Sequence, residues 1–129
     1  MKLLDLKLRI VVLWVWAAIG MTAALLFVFF KPARLEALMS DIEAIGPSWF
    51  IIGPLYGLIP LVMAFLTITL KDRANRLTNR ILSIIYIALI LYDFGPMLLD
   101  PAIDQIIIVG SVVVAVAYLI FYSWKWPVK

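Results

Sequence analysis

The chain has 129 residues, of which 66% are hydrophobic and 15% charged, with a formal net charge of +3. So few polar groups could not cover the surface of a soluble domain, and so small and scattered a positive charge does not suit nucleic acid, which leaves a chain made for lipid. Neither cysteine nor histidine occurs, so disulfides, thiolate chemistry and the commonest metal ligand and general base are all removed, and the sequence points to no metal, no cofactor and no enzyme.

Residues 10–30 form an uncharged run of 21 residues between Arg9 and Lys31. At about 1.5 Å per residue that run crosses a hydrocarbon core of about 30 Å, and it is read as a first span. It exceeds the apolar region of a signal peptide, and no small-x-small cleavage site follows it. Residues 33–45 are too charged to span, but Leu35, Leu38, Met39, Ile42 and Ile45 recur at helical spacing, which predicts a short amphipathic helix at the membrane surface. Pro32 suits its first position and Gly46-Pro47 its end, while Ser40 with Glu43 fits a capping box that would split it.

A second span is predicted over 48–70, bent near Ile59 and Pro60 because proline frees backbone groups inside a helix. A third covers 81–99 and carries one acid, Asp93. A fourth covers 101–124, opened by Asp100 as cap and Pro101 in the first turn. The expected fold is therefore an all-α integral membrane protein, a single domain built as a four-helix transmembrane bundle with one interfacial helix between the first two spans.

Loop charges set the orientation. The amino terminus, the segment 71–80 and the tail hold nine basic residues against two acids, whereas the opposite side, counted with the span ends that face it, holds two against six. Cytoplasmic loops collect lysine and arginine, so both termini and the basic segment are expected on the cytoplasmic side. Trp14, Trp16, Tyr122, Trp124 and Trp126 would then belong to an inner aromatic belt, and Phe27, Phe29, Phe30, Trp49 and Phe50 to an outer one. Within the basic segment, Lys71, Arg73, Arg76 and Arg80 are the topogenic or lipid-headgroup residues. Asn75 and Asn79, like Arg76 and Arg80, stand one helical turn apart, so the segment either extends a helix or forms a solvated loop.

Counting residues from the cytoplasmic edge places Thr22, Tyr56, Asp93 and Ser111 at one depth, roughly 20 Å in. A shallower level holds Thr67, Ser83, Tyr86 and Tyr118. One reading makes Asp93, Thr22, Tyr56 and Ser111 a polar ligand-binding pocket, with Asp93 as a proton or cation site, since an ionisable group at membrane depth is a functional candidate. The other leaves Asp93 solvated at the outer interface or hydrogen-bonded structurally. Gly53-x-x-x-Gly57 and Gly20-x-x-x-Ala24 permit close helix approach, within one bundle or across a homodimer.

The segment "IPLVMAFLTITLKDRANRLTNRIL", residues 59–82, resembles the central signature of a family of small, uncharacterised four-span prokaryotic membrane proteins. In that family a proline-bearing second helix leads into an L-K-x-x-x-N-R turn. An acidic residue often precedes its Ile-Pro pair, where this chain has Leu58. The resemblance implies the fold and an inner-membrane location. Two functions are weighed on this footing: a non-catalytic packing partner, small-ligand binder or accessory subunit, with membrane lipids and a protein partner or second copy as its contacts; and a small dimeric transporter or channel working through Asp93.

Overall fold

The computed structural model describes residues 2–30, 32–94 and 103–127, with the side chains of Asp93 and Phe94 outside that set. Five α-helices follow one another: α1 (Leu3–Val28), α2 (Pro32–Ile45), α3 (Trp49–Thr69), α4 (Asp72–Phe94) and α5 (Ile103–Trp124), with a 3-10 turn over Gly46–Ser48 between α2 and α3. Four helical stretches are long and apolar enough to cross a membrane. They are α1, the stretch Pro32–Thr69 that holds α2 and α3, most of α4, and α5.

The bundle is organised around α1. Its buried positions Leu6, Ile10, Leu13, Ala17 and Ala24, with Trp14, Ala18 and Met21 beside them, wrap more than one face, because α3 packs on one side and α5 on the other. On α5 the buried residues Gln105, Val109, Val112, Val116, Leu119 and Ser123, with Ala115 beside them, follow steps of four and three, the spacing of a single helix face against a neighbour. Gly20 sits where α1 and α5 come closest: a Cβ there would lie 2.3 Å from Val112 Cγ2. Gly57 on α3 faces Thr22 of α1 with ordinary spacing. Both glycines thus serve contacts within the chain.

Several expectations are corrected. The basic segment is not a loop, for α4 begins at Asp72 and runs unbroken into the third span. An acid in the first turn suits the positive end of a helix, and Asn75, Asn79, Ser83, Tyr86 and Ile90 form its buried face. The capping box at Ser40 does not split the second helix, since α2 is continuous over Pro32–Ile45. Within α2, Arg34, Leu35, Leu38 and Ile42 are half-buried along one stripe while Met39 and Ile45 are exposed. Gly46 ends α2 with φ of +73°, a conformation that a Cβ disfavours and that turns the chain into α3. α3 stays helical through Pro54 and Pro60. The expected helix start at Asp100 and Pro101 lies outside the described residues.

Two tryptophans expected in the inner belt lie inside the bundle: Trp14 is fully buried and Trp126 nearly so. Contacts join the amino-terminal end of α1, the α3–α4 turn and the end of α5. Lys7 Nζ is 3.0 Å from Asp72 Oδ1 and 5.8 Å from the Trp126 ring centroid, and Arg76 donates to the Pro127 carbonyl at 2.9 Å. These three pieces of chain therefore share one end of the bundle. At the other end an Arg34–Asp104 ion pair fastens α2 to α5, and Gln105 Nε2 donates to the Ala24 carbonyl of α1 at 2.9 Å.

Candidate functional site

The four side chains matched for depth do not all converge. Thr22 is exposed on the α1–α3 seam and donates back to the Ala18 carbonyl of its own helix at 2.9 Å. Ser111 lies on the α1–α5 seam, where it donates to the Ile108 carbonyl at 2.9 Å and receives a longer bond from Trp16 Nε1 at 3.4 Å. Tyr56 is half-buried on α3. The side chain of Asp93 lies outside the described residues. Beside Thr22, an open and almost wholly apolar groove of about 280 Å³ is lined by Ala18, Ile19, Thr22, Ala23, Leu26 and Leu61.

What the structure does assemble is an amide cluster at the basic end. Asn79 is fully buried; its Oδ1 accepts from Trp14 Nε1 of α1 at 2.8 Å. Its Nδ2 donates to Asn75 Oδ1 at 2.7 Å and to Thr67 Oγ1 at 3.2 Å. Thr67, also buried, spends its own proton on the Met63 carbonyl at 2.7 Å. Asn75 Nδ2 then donates to the Thr67 carbonyl at 2.7 Å and, more weakly, to that of Leu70 at 3.4 Å. The Thr67 carbonyl belongs to the last turn of α3, whose next backbone donors are lost where the chain leaves the helix at Leu70. Asn75 is thus a C-terminal cap supplied by the following helix, and Asn79 ties that cap to α1. Every donor and acceptor of the two amides has a partner, so three helices are joined with no buried polar group left over.

One turn deeper a second polar contact answers a proline. Pro60 has no N–H, so the carbonyl four residues earlier, that of Tyr56, loses its helical partner. The buried Tyr86 of α4 donates its hydroxyl to that carbonyl at 2.6 Å, and its ring meets Trp14 edge-on at 5.8 Å. Of the shallower level, Thr67, Ser83 and Tyr86 are fully buried, whereas Tyr118 is exposed and takes no part.

The basic residues divide by role. Arg80 Nε donates to the Ser123 carbonyl at 2.9 Å and its guanidinium lies 4.5 Å from the Trp124 ring centroid. Arg76 holds Pro127 as described. Arg80 thus caps the carboxyl end of α5, where unpaired carbonyls favour cations, while Arg76 holds the chain that follows it. Lys71 and Arg73 are exposed at the α3–α4 turn. Among the described residues no three Asp or Glu side chains gather into a metal-binding group.

The amide cluster escaped the sequence reading because composition made its segment look solvated. The four-residue spacing of Asn75 and Asn79 was the available signal. No protein-family model matches the chain, and neither the search of curated proteins nor that of solved structures finds a match.

Proposed function

We propose that this chain is a multi-pass protein of a prokaryotic inner membrane, with both termini and the α3–α4 turn cytoplasmic, acting non-catalytically as a packing partner or accessory subunit. The carrying observation is the closed amide cluster. Its donors and acceptors are spent on one another and on helix ends, so it serves to hold α1, α3 and α4 in register and keeps no group for a substrate. The outward sides of the long helices are apolar, with Leu58, Leu61, Phe65 and Ile68 exposed along α3. In a membrane such a face meets lipid or another spanning helix. Gly20 and Gly57 already meet neighbouring helices of the same chain, so association would use these larger side chains.

The test is photocrosslinking in native membranes from Phe65, which is 64% exposed. A discrete adduct of defined mass, either a second copy or a partner protein, is the expected result. Absence of any adduct from Phe65, and from Leu58 and Ile68 on the same helix, would overturn the packing-partner role.

A further inference from the structure

We propose that the basic end of the α1–α5 face is a headgroup site for an anionic phospholipid, formed by Arg9, Tyr122 and Lys125. The proposal rests on the membrane reading above and deepens it. The described cations at this end differ in their surroundings. Lys7 is paired with Asp72, and Arg76 and Arg80 are spent on carbonyls near the end of α5. Arg9 and Lys125 instead stand outward, each held against an aromatic ring.

The Arg9 guanidinium lies 5.8 Å from the Tyr122 ring centroid and donates to its hydroxyl at 3.1 Å. Lys125 Nζ lies 4.4 Å from the Phe121 ring centroid. Those two rings touch, with centroids 5.5 Å apart, so both cations border one aromatic pair. The Tyr122 oxygen accepts from Arg9, which leaves its own hydroxyl hydrogen to donate outward. No described residue accepts that hydrogen. The border therefore presents donors and positive charge, and among the described residues no carboxylate forms an ion pair with either cation.

A phosphodiester supplies what is missing, a negative charge carried on several acceptor oxygens that match the guanidinium fork. The neighbouring surface selects a lipid over a soluble phosphate. Trp16, Tyr118 and Phe121 are exposed on the same two helices, giving acyl chains an apolar wall beside the cations, as at a membrane interface. Lys71 and Arg73 are equally exposed, but no aromatic ring or hydroxyl holds them among the described residues. They contribute only diffuse attraction.

The experiment places the full chain in phosphatidylcholine vesicles and compares tryptophan quenching by brominated phosphatidylglycerol with that by brominated phosphatidylcholine. Trp16 and Trp124 are the exposed reporters at this end. The wild type should prefer phosphatidylglycerol by about fivefold or more, and the Arg9→Gln/Lys125→Gln pair should bring the ratio close to one. Tyr122→Phe keeps the ring, removes the donor and should lower the preference by about twofold. Lys71→Gln/Arg73→Gln should leave it nearly intact. Preference retained in the Arg9/Lys125 pair, or lost equally in the Lys71/Arg73 pair, would overturn the site. A wild type quenched equally by both lipids would overturn it too while leaving the membrane reading standing. Quenching by neither lipid would overturn the membrane reading itself.

Discussion

Asn79 is the residue on which most of the buried polar contacts depend. Asn79→Ala strands the Trp14 indole and removes the partner that orients Asn75, so it should cost about 1–2 kcal/mol, read as reduced resistance to denaturant in detergent. Trp14→Phe removes one donor from the same pair. In a double-mutant cycle the two substitutions should couple by about 1 kcal/mol, and strict additivity would show that the bond contributes nothing. Tyr86→Phe tests a different contact. It should cost about 1 kcal/mol in the native chain and much less when Pro60 is replaced by Ala, because the restored N–H then satisfies the Tyr56 carbonyl. An equal cost in both backgrounds would mean that Tyr86 acts through packing alone.

At the scale of helices, the tightest constraint is the α1–α5 crossing. Gly20→Ala forces a methyl against Val112 and should destabilise by about 1–3 kcal/mol, with Val112→Ala restoring most of the loss. Gly57→Ala, which meets Thr22 at 3.9 Å, should be nearly neutral; equal effects of the two substitutions would contradict the crossing geometry. The long uncharged runs made α1, α3 and α5 legible, since a stretch of some twenty apolar residues has few alternatives. The start of α4 was not legible. Its first turns fitted a helix extension or a solvated basic loop equally, and the burial of Asn79, which decides between them, depends on Trp14 and Thr67, separated from it by 65 and 12 residues. The depth-matched polar set was drawn from height alone, and among its described side chains Thr22 and Ser111 do not meet. Counting along the axis fixes height and says nothing of direction, and Thr22 and Ser111 lie on different seams of α1.

For the molecule as a whole, the polar bonds are distributed unevenly. The basic end carries the amide cluster, the Arg80 cap, the Arg76 bond to Pro127 and the Lys7–Asp72 pair, whereas at the opposite end the described polar contacts are the Arg34–Asp104 pair and the Gln105 bond. An exposed pair such as Lys7–Asp72 adds only about 0–1 kcal/mol, so the buried amides hold that end together. This arrangement joins three stretches of chain that charge counting also places together: the amino terminus, the α3–α4 turn and the tail. If the bundle spans a bilayer as proposed, the three lie on one side, with α2 on the other.

Because the chain contains no cysteine, single substitutions give unique thiols with which to test that arrangement. Exposed Arg73 and Glu43 mark its two sides. In intact cells a membrane-impermeant maleimide should label Glu43→Cys and should reach Arg73→Cys only after the membrane is opened. Labelling of both from the same side would contradict the four-span bundle, and labelling of Arg73→Cys alone in intact cells would contradict its orientation.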